Sequence, residues 1–338
     1  MTDYLWDRTG PADPDVVELE QLLAPLGQPV PLPPLRLPAP RASRAFAGIF
    51  AAAAAVILVL AGTVWQTRPR EHGQWDVVRV SGAPRVASQP VGDRVKADDG
   101  SWLETRDGDR ATITVGDIGQ VQVEPYTRIG LMQARPGDYR LQLDRGTMHA
   151  MIWSPPGQFL VETPSASALD LGCAYTMTVD VDGTGVIEVT SGWVGFEWKG
   201  RESFIPEGAV CRTRPGRGPG TPYFQDAREA IGADVDVIDG PASSRAERSA
   251  AIARVLERAR PRDALTLWHL LPRVDEADRD AVFDRLAAFV PPPAGVTRNG
   301  IRLGEQEMLD RWWDNLGLQS VNWWRLWEQK WRQNKAGR

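Results

Sequence analysis

The sequence predicts a mainly β chain with α parts. In order, these are a single transmembrane helix, an all-β domain of solenoid or sandwich type, and a small helical domain with a tryptophan-rich carboxy-terminal tail. Three observations predict it. Ala45–Trp65 runs twenty-one residues without a charge, about the length a helix needs to cross a bilayer core of roughly 30 Å. From Trp75 to Thr213 apolar residues alternate with polar ones in short runs closed by turn residues, the period of half-buried strands. Beyond Pro222 the apolar period becomes helical, and six of the fourteen tryptophans fall between Trp312 and Trp331.

The amino-terminal arm, residues 1–44, begins with a helix signal: Asp13 as N-cap and Pro14 in the first turn. Val16, Leu19 and Leu23 recur at helical spacing, with Val17 and Leu22 widening the stripe. Together with Trp6 they form a candidate partner-binding surface, the alternative being a helix lying on the membrane. Residues 27–40 are a proline-rich, semi-rigid spacer. The apolar run 45–65 starts too far from Met1 and is too long for a cleaved signal peptide, so it is expected as an uncleaved anchor. Arg36, Arg41 and Arg44 precede it while Arg68, Arg70 and Arg79 follow it, and charge bias leaves the orientation tied.

In residues 74–213 the alternation is explicit. Ile113 and Val115 alternate with threonines, Val121 and Val123 with glutamines, and Leu141/Leu143, Met148/Ala150/Ile152, Tyr175/Met177/Val179 and Ile187/Val189 continue the pattern. Asp107-Gly108, Pro136-Gly137-Asp138, Asp182-Gly183 and Ser191-Gly192 supply the turns. The two cysteines, Cys173 and Cys211, share this stretch. They read either as one disulfide, closing a loop of about 38 residues and worth on the order of 3–4 kcal/mol, or as two buried thiols.

These strands carry a resemblance. The segments WDVVRVSGAPRV, GSWLETRDGDRATITV, GQVQVEPYTRIGLM, YRLQLDRGTMHAMIW, FLVETPSASALDLGCAYTMTV and GVIEVTSGWVGFEW resemble the FecR family of envelope sensor proteins. The matching positions are Leu143, Gly146, Val161, Thr163, Pro164, Gly172, Tyr175, Ile187, Val189, Gly192 and Val194; Cys173 stands where that family usually has a hydroxyl residue. The resemblance implies a periplasmic β domain tied to the bacterial inner membrane by one span. It also implies a cytoplasmic amino-terminal arm acting on an alternative sigma factor or another cytoplasmic regulator. The alternative is an anchored envelope module that binds a protein or glycan and has no transcriptional role. A zinc-binding arm is excluded, because residues 1–44 hold neither Cys nor His.

Residues 214–242 read as a linker; RPGRGPGT lacks the GK[ST] and the strand–turn–helix frame of a phosphate loop. Three helices follow in 243–292, carried by Ile252/Val255/Leu256/Ala259, Ala264/Leu267/Trp268/Leu271 and Ala281/Val282/Phe283/Leu286/Phe289/Val290, the last stopped by Pro291. In the tail, 293–338, Trp312 and Trp313 mark one helical face and Trp323, Trp324, Trp327 and Trp331 another. Core packing, a membrane interface and a partner or glycan platform all remain open for them.

No catalytic chemistry is legible. His72, His149 and His269 are dispersed, no G-x-S-x-G occurs, and paired carboxylates such as Asp180/Asp182 and Asp234/Asp236 lie in turn-like contexts. Asp98-Asp99-Gly100 and Asp107-Gly108-Asp109 fall short of a calcium loop. A net charge of −5 with mixed signs speaks against nucleic acid. The expectation is a non-enzyme without metal or cofactor.

Overall fold

The computed structural model describes Pro14, Val17 and residues 73–318. Pro14 and Val17 are helical and exposed. From residue 73 the chain forms β1 (Gln74–Ser81), β2 (Arg85–Val86), β3 (Gln89–Pro90), β4 (Arg94–Asp98), β5 (Ser101–Glu104), β6 (Arg110–Val115), β7 (Gly119–Val123) and β8 (Arg128–Arg135). There follow β9 (Asp138–Ile152), β10 (Phe159–Glu162), β11 (Ser167–Asp170), β12 (Ala174–Val179), β13 (Gly185–Ser191), β14 (Trp193–Trp198), β15 (Arg201–Pro206) and β16 (Ala209–Arg214). Two short pieces, β17 (Gly218–Pro219) and β18 (Tyr223–Phe224), pair with β16.

Pairing sorts the strands into two layers. One runs β4–β1–β6–β7–β9–β12–β13–β16. The other runs β3–β2–β5–β8–β9–β10–β11–β14–β15. The chain steps from layer to layer hairpin by hairpin, which reconciles the solenoid-like rhythm of the sequence with a sandwich. The layers meet across a shared core, where Trp75 of β1 packs edge-on against Tyr139 of β9 at 6.0 Å.

Strand β9 belongs to both layers, and Gly146 is the corner. Tyr139, Leu141 and Leu143 are buried before it and Met148, Ala150 and Ile152 after it, so the inward parity flips at the bend. Gly146 has φ +96°, and a Cβ there would collide with Thr127 Oγ1 and Cα; only glycine fits.

After β18 come α1 (Ala233–Asp239), α2 (Arg245–Arg258), α3 (Ala264–Leu270), α4 (Glu276–Phe289), α5 (Arg298–Leu303) and α6 (Gln306–Asp314). The three helices expected between 243 and 292 are α2, α3 and α4. Helix α2 starts in a capping box: Ser244 Oγ accepts from the Glu247 amide at 3.2 Å and Glu247 Oε2 from the Ser244 amide at 2.7 Å. Residues 218–224, expected in a linker, are instead buried and extend the first layer.

The fold class is corrected at its membrane span. Among the described residues no helix is long and apolar enough to cross a membrane. The longest, α2 and α4, have 14 residues each, against about 20 needed, and both carry several charges. Ala45–Trp65 lies outside the described residues. What the structure presents is mostly β-sheet with several helices.

Candidate functional site

Strand β15 ends its layer, pairing with β14 on one side only. A bare strand edge exposes unpaired N–H and C=O groups, and here the helices cover it. His269 Nε2 accepts from the Phe204 amide at 3.0 Å, while Nδ1 lies 2.8 Å from the Leu265 carbonyl one turn back in α3. That pattern puts the proton on Nδ1, donated to Leu265 O, and leaves a neutral ring. Burial, reinforced by the Arg273 charge, holds the His269 pKa well below the ordinary histidine value. Four residues on, Arg273 donates to the Glu202 carbonyl, to Ser203 Oγ at 2.8 Å and to Thr221 Oγ1 at 3.1 Å.

Aromatic rings back this clasp. Trp313 of α6 packs on Trp268 at 4.8 Å, Phe204 at 5.1 Å and Trp193 at 6.0 Å, and Trp312 on Phe283 at 4.9 Å. Trp268 Nε1 donates to Leu309 O at 2.9 Å and Trp312 Nε1 to Val290 O at 3.1 Å. Trp312 and Trp313 are therefore core residues, Trp313 joining helices to strands and Trp312 joining α6 to α4.

Beside the clasp, where the β14–β15 hairpin turns through Lys199 (φ +49°) and Gly200 (φ +81°), a cleft of about 360 Å³ opens. Lys199, Arg201 and Arg273 line it over a floor that includes Phe204, Trp268 and Leu309. Arg201 is partly spoken for: it donates to Pro219 O at 2.7 Å and to the buried Asp239 carboxylate at 3.1 Å. Arg273, mostly buried, is pushed down to about 10, first by burial and then by the neighbouring Arg201 charge.

A second cluster lies inside the sandwich. Cys173 Sγ donates to the fully buried Asp170 carboxylate at 2.8 Å, whose other oxygen accepts from the Gly172 amide, also at 2.8 Å. Burial raises the Asp170 pKa to about 7 against these stabilising hydrogen bonds. Burial and the adjacent Asp170 together push the Cys173 thiol far up, and the Tyr175 hydroxyl, buried beside them, has no hydrogen-bond partner among the described residues. A cysteine in place of a hydroxyl residue thus still supplies the small donor that Asp170 needs. Gly172 and Gly192 pack backbone against backbone here, with no room for a Cβ on Gly192.

The disulfide expectation is corrected. Cys173 and Cys211 are both free and buried. Strand β13 lies between β12 and β16, with Ile187 opposite Cys211, while Cys173 abuts Gly192. Two strand spacings are about 9.6 Å before the offset along the strands is added, beyond the reach of a disulfide, whose Cα atoms lie roughly 4.4–6.8 Å apart. Cys211 Sγ instead donates to Gly220 O at 3.3 Å.

Among the remaining expected site residues, Trp6, Val16, Leu19, Leu23, Trp323, Trp324, Trp327 and Trp331 lie outside the described residues, as does His72. His149 bonds Thr176 Oγ1 at 2.8 Å on the outer face of the first layer. Among the described residues no three His, Cys, Asp or Glu side chains converge as metal ligands. The His269–Arg273 clasp had only a weak signal in sequence, a histidine and an arginine four apart at the end of a helix.

Residues 101–195 match the family model described as FecR protein. No curated protein matches the chain. Two crystal structures of a candidate anti-sigma factor from Parabacteroides distasonis ATCC 8503, at 1.65 Å and 2.50 Å resolution, are similar at 14% and 15% identity, each with a TM-score of 0.33. The likeness covers 39% of this chain, which spans 63% and 62% of those two chains. The stretch that matches the FecR family model runs from the start of β5 to the middle of β14.

Proposed function

We propose that this chain is a FecR-type regulator that acts on an alternative sigma factor through its amino-terminal arm and does no catalysis of its own. The observation that supports the reading is the FecR match over 101–195, which falls on the part of the sandwich built around the Gly146 corner and the Gly172/Gly192 contact. The arm supplies Trp6 and the Val16/Leu19/Leu23 stripe as the partner surface, and the bacterial envelope is the setting. A ligand or partner transmits a signal only if it binds two states of the β domain unequally.

The test is a transcriptional reporter for the sigma factor encoded nearest this gene, compared between the full chain and a chain lacking residues 1–26. A change in reporter output that depends on those residues supports regulation. Identical output from both chains leaves a binding or scaffold module in its place.

A further inference from the structure

We propose that the cleft between β15 and the end of α3 binds a small organic carboxylate, with the acid group at Arg273 and Lys199 and an apolar group over Trp268 and Leu309. This assignment stands apart from sigma factor action, so either can fail alone.

Charge comes first. Three cations line the cleft, Lys199, Arg201 and Arg273, against one carboxylate, Glu202. Arg201 has a partner in Asp239. Arg273 is held by three neutral oxygens, those of Glu202 O, Ser203 Oγ and Thr221 Oγ1. Those bonds fix the plane of its guanidinium and use three of its five N–H groups. A mostly buried guanidinium, pressed by a second one and only partly offset by Asp239 and Glu202, gains from an added anion. Its depressed pKa, caused first by burial, reports the same unmet demand.

Shape and chemistry then narrow the anion. Nε–H and one Nη1–H of Arg273 remain, and a single charge-assisted bond from either suits one carboxylate oxygen, with Lys199 for the other. The volume of about 360 Å³ is at the small end of ligand sites. Its floor is indole and leucine, so the rest of the ligand should be apolar. Lys199 projects from the two-residue turn at the rim, with its Nζ 4.6 Å above the Trp198 ring, free of the clasp that holds β15.

The probes are phenylacetate, its neutral isostere phenylacetamide, and acetate, each titrated into the full chain by calorimetry and ligand-observed NMR. Phenylacetate should bind about tenfold or more tightly than phenylacetamide, as loss of one charge-assisted bond implies, and more tightly than acetate. Arg273→Gln should weaken phenylacetate about tenfold or more. Since Arg273 also holds the Glu202 carbonyl, Lys199→Gln provides the second variant, with an expected loss of about threefold and an unchanged melting temperature. Equal affinity for phenylacetate and phenylacetamide overturns the proposal. So does unaltered phenylacetate binding in Lys199→Gln together with a folded Arg273→Gln, or no binding at about 10 mM.

Discussion

The imidazole of His269 accepts a hydrogen bond from the Phe204 amide at 3.0 Å, joining residues 65 positions apart. This contact closes the exposed edge of the second layer and couples the helices to the sandwich that holds the family match. Only the neutral ring can accept that bond, so the coupling depends on pH.

His269→Leu should cost about 1–3 kcal/mol at neutral pH by stranding a buried N–H. The ring's folded pKa is depressed, so below about 6.5 the unfolded chain takes up a proton that the folded chain refuses. Wild-type stability should therefore be full above that pH and fall as the pH drops below it. Urea midpoints at several pH values check this, and the His269→Leu profile should lose that component.

Asp170 predicts the opposite sign. Its folded pKa is raised to about 7 by burial, so the folded chain binds the proton more tightly than the unfolded chain does. The favourable contribution is present at low pH and is lost as pH rises from about 4 through 7. Between pH 5 and 8.5, Asp170→Asn should gain on the wild type by on the order of 2–3 kcal/mol, read from paired denaturation curves.

Both cysteines should be unreactive in the folded chain, because burial raises the pKa of each thiol, that of Cys211 to about 12. A thiol reagent should find neither thiol in the native protein and both after denaturation, and reductant should leave the melting temperature unchanged.

Glycine substitutions test the corner in β9. Gly137 has φ +80° and open space around it, so Gly137→Ala should cost only the left-handed conformation, about 1–2 kcal/mol. Gly146→Ala adds a collision with the Thr127 backbone and should cost about 3–5 kcal/mol. Equal melting temperatures for the two variants would mean that β9 does not turn there.

Much of the sandwich was legible because period-two burial is local: Ile113, Val115, Val121 and Val123 are all inward and buried, as their alternation requires. The three central helices were legible for the same reason. What escaped was set by strand order. The separation of Cys173 from Cys211 depends on β13 lying between them, and the covering of β15 depends on a helix 65 residues downstream. Residues 218–224 read as a linker because glycine and proline mark turns without saying whether the turn is packed. Of the tryptophans, Trp312 and Trp313 resolve as core, through rings contributed by β14, β15, α3 and α4 that no local pattern reveals.

Regulation through the arm is tested most directly by crosslinking. A photoreactive residue placed at Leu19 in the otherwise intact chain, expressed in the native cell and analysed by mass spectrometry, should capture a sigma factor in a manner lost when residues 1–26 are deleted. Capture of no transcription factor from Leu19, in cells where the chain is stably expressed, would contradict the account.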